Sequence, residues 1–428
     1  MGGRTSEGTT GRGDMVLGRI LQESHRMAPD ELPALLRRHG EALGVTRLTV
    51  YLADVQQQTL VALPDERTEQ PRSVAVESSL AGWCYRTMSP RIATSDSGDL
   101  TLWLPVLDGI ERVGVLSVQA PVLDTAALEL YRSLSPLIAM IVTTKGLYSD
   151  AYTSTKRVAP MQLPAEMVWA SLAPRTVGSH TVTSSAVLEP AYNLHGDAFD
   201  HTLNSSTLYT VILDAMGHDL VSGLIASVAL AAYRNARRNG ANLEEIVDTS
   251  VSEVFPDRYV TGVFSSLDLV SGQLSWLNRG HPAPLLLRDH EPVPGALERD
   301  PEPPLGLGRD LPGTEHRIHR YHLEPGDRVL LYTDGVTEAR SPRTGELFGE
   351  ERFAGFVIRA LSAGESAPEA LRRLVHAILA HQEDRLTDDA TIVMCEWHPS
   401  QHSSRPHTPG PVTTPPLRRG ARCPAAGT

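Results

Sequence analysis

The sequence predicts an α+β chain with two structured regions, and three observations support this prediction. The chain has 428 residues, which is enough for two or three domains of roughly 100–200 residues each. Hydrophobic residues make up 41% of the sequence, so each region can bury a core. Short runs of β-branched and aromatic residues alternate with helical patterns in both regions, and a mainly helical stretch separates them.

The first region is predicted to contain helices around a small sheet. Residues 1–27 are predicted to be a disordered leader, rich in Gly, Thr and Arg over residues 1–14, and a short helix. A helix over LPALLRRHGEALG is expected to end at Gly44. The strand TRLTVYLAD pairs with TLVAL, the helix SSLAGWCYRTMS follows, and Asp108-Gly109 predicts a hairpin turn between two further strands.

A long helix is predicted from Ala126 to about Lys156, and Pro136 is expected to kink or divide it. Its apolar stripe has two possible roles. It either covers the sheet of the first region, or it extends as a linker that pairs with a second copy of the chain. The second alternative makes a homodimer possible. The residues of the stripe are Leu130, Leu134, Leu137, Ile138 and Ile141.

Residues 28–148 resemble a GAF domain, a small α/β sensor module. The resemblance rests on LTVYLAD, SLAGWCYRT and LWLPVLDGIERVGVLSV. It implies a possible small-molecule ligand, although the stretch between Ser95 and Leu102 is short for a structure that covers one. Trp83, Cys84 and Trp103 could line such a pocket, but core packing is the favoured interpretation. Residues 149–175 are predicted to be a helical linker.

The second region, residues 176–397, begins with strands. The run TLYTVIL predicts a buried strand that ends at Asp214, and a helix follows from Leu220 to Arg238. A further helix over NLEEIVDTSVSEVF, a hairpin turning at Ser271-Gly272 and a strand leading to Asp334 come next. Two helices and the strand DDATIVMCEW complete the region, and residues 398–428 are predicted to be a disordered tail.

Four stretches place carboxylates beside apolar strands: HGDAFD, LDAMGHD, YTDGVTE and TDDATIVM. Strands of one core can bring such positions together, and clustered carboxylates repel one another unless a cation neutralises them. An all-oxygen, carboxylate-rich site suits Mg²⁺ or Mn²⁺. The alternative is that these residues are ordinary turn aspartates and that Asp219 caps a helix.

The same stretches, together with NRGHPAPLLL and ELFGEERF, resemble the SpoIIE-type branch of the protein phosphatase 2C (PPM) superfamily. The resemblance implies an α-β-β-α sandwich, with two antiparallel sheets flanked by helices. It implies that Asp197, Asp214, Asp334 and Asp388 are catalytic residues and metal ligands for two Mn²⁺ or Mg²⁺ ions. The Ala215 carbonyl is a further expected ligand, and Asp389 is a less favoured one.

The resemblance also implies the reaction and the partner. The expected function is a metal-dependent phosphoserine/phosphothreonine protein phosphatase that forms no phosphoenzyme. Its expected substrate is a STAS-type anti-sigma-factor antagonist, and the GAF-like region would control the activity. The alternative is a non-catalytic signalling module with a degenerate phosphatase fold.

Some positions depart from the family pattern or have open roles. His195 stands where a glycine is frequent, Asp219 also replaces a usual glycine, and no phosphate-gripping Arg is evident. His218 is a candidate general acid or a turn residue with equal support. Asn278 and His281 are expected to fix a loop rather than to take part in the chemistry.

Composition excludes other classes of protein. The formal net charge of −12 argues against a nucleic-acid partner. No uninterrupted apolar run approaches the ~20 residues needed to cross a bilayer, so no membrane association is expected. Cys84, Cys395 and Cys423 have no metal or redox spacing, which favours a reduced, cytoplasmic location.

Overall fold

The computed structural model describes residues 6–65, 72–94, 100–247, 258–307, 317–383 and 386–399. Its N-terminal region is a six-stranded antiparallel sheet with the order β3-β2-β1-β6-β5-β4. The predicted hairpin turn at Asp108-Gly109 joins β5 to β6, and Gly109 adopts the positive φ of +62° that this turn requires. The strands are β1 (Arg47–Ala53), β2 (Thr59–Ala62), β3 (Ser73–Ala75), β4 (Arg91–Thr94), β5 (Leu100–Asp108) and β6 (Glu111–Ala120).

Six helices surround this sheet. They are α1 (Ser6–Ser24), α2 (Leu32–Arg38), α3 (Gly40–Leu43), α4 (Leu80–Thr87), α5 (Thr125–Gly146) and α6 (Asp150–Lys156). The short helix predicted within residues 1–27 is α1, which buries Val16 and Ile20 in the core of this region. It begins at Ser6, so residues 6–14 are helical where a disordered leader was predicted. Gly44 ends α3 in the left-handed conformation, as predicted.

Helix α5 is the main support of the N-terminal sheet. It continues through Pro136, and the predicted long helix divides instead after Gly146, where Ser149 caps α6 by accepting the Ala151 N–H. By length and composition α5 could span a membrane, but Leu134, Ile138 and Ile141 are buried in the core beneath the sheet. The apolar stripe therefore covers the sheet and is not free to pair with a second copy.

The C-terminal region contains two antiparallel sheets packed face to face. Their strand orders are β15-β12-β11-β10-β9 and β14-β13-β16-β17-β8-β7. The strands are β7 (Thr176–Gly178), β8 (Val182–Glu189), β9 (Asp197–Leu203), β10 (Thr207–Ala215), β11 (Val260–Asp268), β12 (Gln273–Arg279), β13 (Leu285–Arg288), β14 (Glu291–Pro292), β15 (His319–His322), β16 (Arg328–Tyr332) and β17 (Ala390–Trp397).

Helices cover the outer faces of both sheets, which gives the predicted order of helix, sheet, sheet and helix. The side chains of α7 and α8 join the first sheet in one core, whereas those of α11 and α12 pack on the second sheet. The helices are α7 (Leu163–Ser171), α8 (Leu220–Arg238), α9 (Leu243–Val247), α10 (Asp334–Thr337), α11 (Glu350–Ser362) and α12 (Ala367–His381). The rest of the helix predicted after α9, and the tail from residue 400, lie outside the described residues.

A buried polar cluster joins the two regions, and we call it the junction. Its members are Gln57 and Arg112 of the N-terminal region and Glu369 and Arg372 of α12. Arg112 donates to Glu369 Oε2 at 2.8 Å and to Gln57 Oε1 at 2.9 Å. Arg372 donates to both Glu369 oxygens, at 2.8 and 2.9 Å. The side chains of Arg112, Glu369 and Arg372 are only 3%, 5% and 1% exposed, so the regions share a dry contact.

Candidate metal centre

Two predicted site residues lie side by side at one edge of the first sheet. Asp214 is near the end of β10, and in the antiparallel pairing it lies directly opposite Asp197, the first residue of β9. Asp197 opens β9 and Asp200 lies inside it, because the apolar residues that form the strand follow Asp197.

The second sheet brings the other two aspartates to the same edge. Asp334 comes directly after Thr333 at the end of β16, and Asp388 lies just before β17. Because β16 and β17 are antiparallel neighbours, the end of one strand meets the start of the other. The structure thus brings together the ends of four strands from two sheets.

Two threonine hydroxyls connect the sheets at this edge. Thr333 Oγ1 donates to Asp197 Oδ2 at 2.8 Å, and Thr391 Oγ1 donates to the same oxygen at 2.6 Å. Sequence analysis missed both threonines, although each is within three residues of a predicted ligand in the YTDG and DDAT stretches. They hold the Asp197 carboxylate in one orientation and leave Oδ1 for another partner.

Burial and mutual repulsion raise the pKa of all four carboxyl groups. Burial raises the pKa of Asp214 to about 7, and the charges of Asp334 and Asp388 add to the shift. The pKa of Asp197 is raised well above its ordinary value by burial and by the charge of Asp214. The pKa values of Asp334 and Asp388 are raised by loss of solvent and by nearby aspartates. Within the described residues, no Arg or Lys side chain forms an ion pair with any of the four.

Asp389 has a different role from the other aspartates. Its carboxylate accepts the backbone N–H groups of His195, Gly196 and Asp197, at 2.8, 2.8 and 3.1 Å. The side chain is buried, and its Oδ1 lies 3.4 Å from His195 Nδ1. Three N–H donors occupy Oδ2, so Asp389 positions the loop that leads to Asp197. The less favoured ligand role of Asp389 stays a prediction.

Close backbone contacts fix the candidate carbonyl ligand. The Ala215 N–H donates to the Gly196 carbonyl at 3.1 Å. A Cβ built at Gly196 would lie 2.4 Å from the Ala215 carbonyl oxygen, so only glycine fits at this position. The glycine therefore sets the position of the carbonyl that was predicted to bind metal.

The remaining candidates are two loop residues, a helix cap and an exposed histidine. Asn278 donates to the His281 carbonyl and accepts the His281 N–H, both at 2.8 Å. Burial lowers the pKa of His281 to about 3, which agrees with the predicted loop-fixing role. Asp219 caps α8 by accepting the Ser222 N–H at 3.0 Å. The exposed His218 ring lies edge to face with His195, at 6.0 Å between centroids.

The donor set fits divalent cations that keep part of their water shell. Among the described residues, no three His, Cys, Asp or Glu side chains converge tightly enough to enclose an ion by themselves. Mg²⁺ is usually bound through one or two carboxylates and several waters, so such convergence is not required. Four partly desolvated carboxylates with raised pKa values form a site that a cation would stabilise.

Aspartates at one edge of two packed antiparallel sheets agree with the arrangement that the sequence resemblance to the protein phosphatase 2C superfamily implied. Residues 204–398 match the family model described as Stage II sporulation protein E (SpoIIE). The matched residues include Asp214, Asp334 and Asp388, whereas Asp197 lies seven residues before them.

Curated relatives are similar over parts of their length. The chain is 25% identical over 243 residues to protein IcfG of Synechocystis sp. (strain ATCC 27184 / PCC 6803 / Kazusa), which covers 49% of this chain and 37% of IcfG. It is 21% identical over 277 residues to phosphoserine phosphatase RsbU of Bacillus subtilis (strain 168), which covers 62% of this chain and 79% of RsbU. The chain thus spans well under half of the length of IcfG.

Solved structures show similarity over about half of the chain. The SiaA-PP2C domain of Pseudomonas aeruginosa is 18% identical and aligns with a TM-score of 0.43 over 55% of this chain and 91% of that domain. The RsbU and RsbW domains of Rv1364c from Mycobacterium tuberculosis are 24% identical and align with a TM-score of 0.42 over 51% of this chain and 62% of that chain.

Proposed function

We propose that this chain is a Mn²⁺- or Mg²⁺-dependent phosphoserine/phosphothreonine protein phosphatase. One observation supports the proposal above all: Asp197, Asp214, Asp334 and Asp388 gather at one edge without ion-pair partners among the described residues. Burying carboxylates unpaired is costly and is retained where a ligand repays the cost. The match of residues 204–398 to the SpoIIE family model gives further support.

Some residues of the site would bind the cations, and others position those ligands. The four aspartates and the Ala215 carbonyl would hold two cations. Thr333 and Thr391 orient Asp197, and Asp389 fixes the loop before it. When bound, a pair of divalent cations lowers the pKa of a coordinated water and neutralises phosphate charge.

The proposed substrate is a phosphorylated STAS-domain anti-sigma-factor antagonist in a partner-switching pathway. The relatives RsbU and RsbP of Bacillus subtilis are both phosphoserine phosphatases by name. Cys84 and Cys395 are free and buried, which agrees with a cytoplasmic location.

Control by the N-terminal region is part of the proposal. We assign this region to the GAF class, with residues 28–148 as the sensor, residues 149–175 as the linker and residues 176–397 as the phosphatase domain. The junction supports such control, because a shift of Gln57 or Arg112 would act directly on α12. A possible ligand site remains part of the proposal. Cys84 itself is fully buried in the core, as core packing requires.

Hydrolysis measured against added metal tests the function. The full chain, stripped with EDTA, is assayed on para-nitrophenyl phosphate and on a phosphoserine peptide while MnCl₂ or MgCl₂ is titrated. We expect no hydrolysis without metal and saturable hydrolysis with it. A folded chain that remains inactive at saturating Mn²⁺ and Mg²⁺ would replace the phosphatase with the non-catalytic signalling module.

A further inference from the structure

Exposed apolar side chains border the candidate metal centre. Met216 follows Ala215 directly, and Leu220, Val221 and Leu224 lie in the first turns of α8. These four side chains are 40%, 46%, 37% and 38% exposed. We call them, together with Leu163 of α7, the apolar rim. Contiguous apolar side chains at a surface indicate a contact site more often than a solvated face.

Leu163 extends the rim from a second helix. It is 59% exposed and precedes Pro164 at the start of α7. A Cβ built at Gly223 would lie 3.0 Å from the Pro164 Cβ, so α7 begins against the first turns of α8. The rim thus combines side chains from two packed helices and the loop that follows Asp214.

The rim is held in a fixed position relative to the aspartates. Asp219 caps α8 by accepting the Ser222 N–H at 3.0 Å. Ser222 Oγ lies 2.6 Å from the Asp219 carbonyl oxygen and 3.1 Å from the His195 carbonyl oxygen, which places the start of α8 against the loop before Asp197. The Met216 N–H donates to the Tyr259 carbonyl at 3.1 Å. A surface anchored to two ligand loops is preorganised for whatever approaches the site.

The identity of the occupant follows from the reach of a phosphoserine. Its side chain is short, so the phosphate can arrive at Asp214 only if the surrounding protein surface covers the adjoining rim. The rim offers five exposed side chains, whereas a stable dimer interface uses about 20–30 residues on each side. A patch of this size fits a transient encounter with a substrate and not a second copy of the chain.

We propose that the apolar rim is the docking surface for a folded phosphoprotein whose phosphoserine is flanked by apolar surface side chains. This inference rests on the proposed phosphatase function. The ion pair between Arg258 and Asp219, with 3.1 Å between Nη2 and Oδ2, supplies a polar border to the contact. Apolar contacts enclosed by a polar border are the usual anatomy of a specific interface.

The test separates docking from chemistry by using a large and a small substrate. Leu220→Asp and Leu224→Asp variants of the full chain are assayed on para-nitrophenyl phosphate and on a serine-phosphorylated STAS-domain protein of the same organism. We expect kcat/KM for the phosphoprotein to fall by about 30-fold or more, while kcat/KM for para-nitrophenyl phosphate stays within about twofold. Val270→Asp, at an 81% exposed position in the β11–β12 turn, is the matched control.

Milder variants and a binding measurement keep every outcome informative. Leu220→Ala and Leu224→Ala replace the charged variants if melting curves show unfolding. Calorimetric binding of the phosphoprotein in EDTA reports docking without turnover. Loss of binding in the variants supports the rim even if the chain proves inactive, a result that would refute only the phosphatase. Unchanged binding and kcat/KM for the phosphoprotein, or equal losses on both substrates, would overturn the inference. Conversion of a wild-type dimer into a monomer would assign the rim to a second copy.

Discussion

Two regions of this molecule bury carboxylates, and the pKa values of these carboxylates shift in opposite directions. At the junction, burial opposes ionisation of Glu369, but the hydrogen bond from Arg372 and the charge of Arg112 outweigh it and hold the pKa of Glu369 below its ordinary value. At the metal centre, burial and neighbouring aspartates raise the pKa of Asp214 to about 7.

The difference in charge balance distinguishes a cluster that holds the structure together from one that can bind a ligand. The junction supplies its own cations, so its charges are complete within the chain and serve to hold two regions together. The metal centre lacks such cations within the described residues, so its charge balance depends on something that arrives from solution. In these two clusters, the raised pKa of Asp214 accompanies a candidate ligand site and the lowered pKa of Glu369 accompanies a structural contact.

Removing the charge of Glu369 should give the largest effect on stability. Glu369→Gln leaves the buried Arg112 guanidinium without a carboxylate partner and leaves Arg372 with only its ion pair to the exposed Glu77. We expect the free energy of unfolding to fall by about 3–5 kcal/mol. Urea denaturation at neutral pH measures this change. The control is Arg373→Gln on the same helix, where Arg373 is 44% exposed in its pair with Glu365 and the expected loss is below about 1 kcal/mol. Equal losses for both variants would remove the distinction between the buried and the exposed pair.

Removing charge from the metal centre should affect activity instead. We expect Asp214→Asn and Asp334→Asn each to lower para-nitrophenyl phosphate hydrolysis by at least ~100-fold, or about 2.7 kcal/mol in activation free energy. The metal-free variants should be at least as stable as the wild type, since carboxylate repulsion is relieved. Metal affinity by calorimetry should fall with the activity.

Asp200→Asn is the control, because it removes a buried carboxylate that has arginine partners and is not an expected metal ligand. Asp200 is buried and pairs with Arg234 and Arg237, at 2.8 and 3.2 Å. We expect that variant to lose stability while each folded molecule keeps its activity. Near-normal Mn²⁺-dependent rates in the Asp214 and Asp334 variants would refute the ligand assignment.

Substitution of Glu189 should give the smallest effect on stability. This residue lies in the contact between the regions, as Glu369 does, but its pKa is raised, as that of Asp214 is. It belongs to the contact between the regions, yet its oxygen accepts only from the neutral Gln56 side chain and the Ala191 N–H, at 3.1 and 2.8 Å. Burial raises the pKa of Glu189 from 4.5 to about 7. Its contribution to stability is therefore complete below about pH 4.5 and is lost as the pH rises through about 7.

The Glu189→Gln variant cannot titrate at this position. We expect its stability relative to the wild type to increase by on the order of 1–3 kcal/mol between pH 5 and pH 8. Urea denaturation of both proteins at the two pH values measures the difference. A difference that does not change with pH would show that Glu189 is ionised throughout, as a fully paired junction residue would be.

The sequence predicted most of the strands because local signals specify them. The apolar run before Asp214 and the glycines of the Asp108-Gly109 and Ser271-Gly272 turns all lie where they were expected. The long helix and the leader were predicted wrongly, since tertiary packing decides them. Burial of Val16 and Ile20 forms α1, and the Ser149 cap starts α6.

The candidate site also has a part that the sequence predicts and a part that only tertiary packing shows. Four aspartates beside apolar strands are visible in the sequence, and antiparallel pairing explains why they lie close together. The role of Asp389 could not be predicted, because it depends on backbone N–H groups almost 200 residues away. The hydroxyls of Thr333 and Thr391 belong to the second sheet, and their contact with Asp197 exists only once the two sheets pack.

The position of β17 has a consequence for synthesis of the protein on the ribosome. Among the described residues this strand is the last in sequence, yet it lies between β16 and β8 inside its sheet. Asp388 and Asp389 precede it directly, and Asp389 holds the loop of Asp197. A nascent chain halted before residue 388 has neither the central strand nor the anchor for the first ligand loop. A chain cut short before residue 388 therefore lacks Asp388, Asp389 and the strand between β16 and β8, and we expect it not to hydrolyse para-nitrophenyl phosphate.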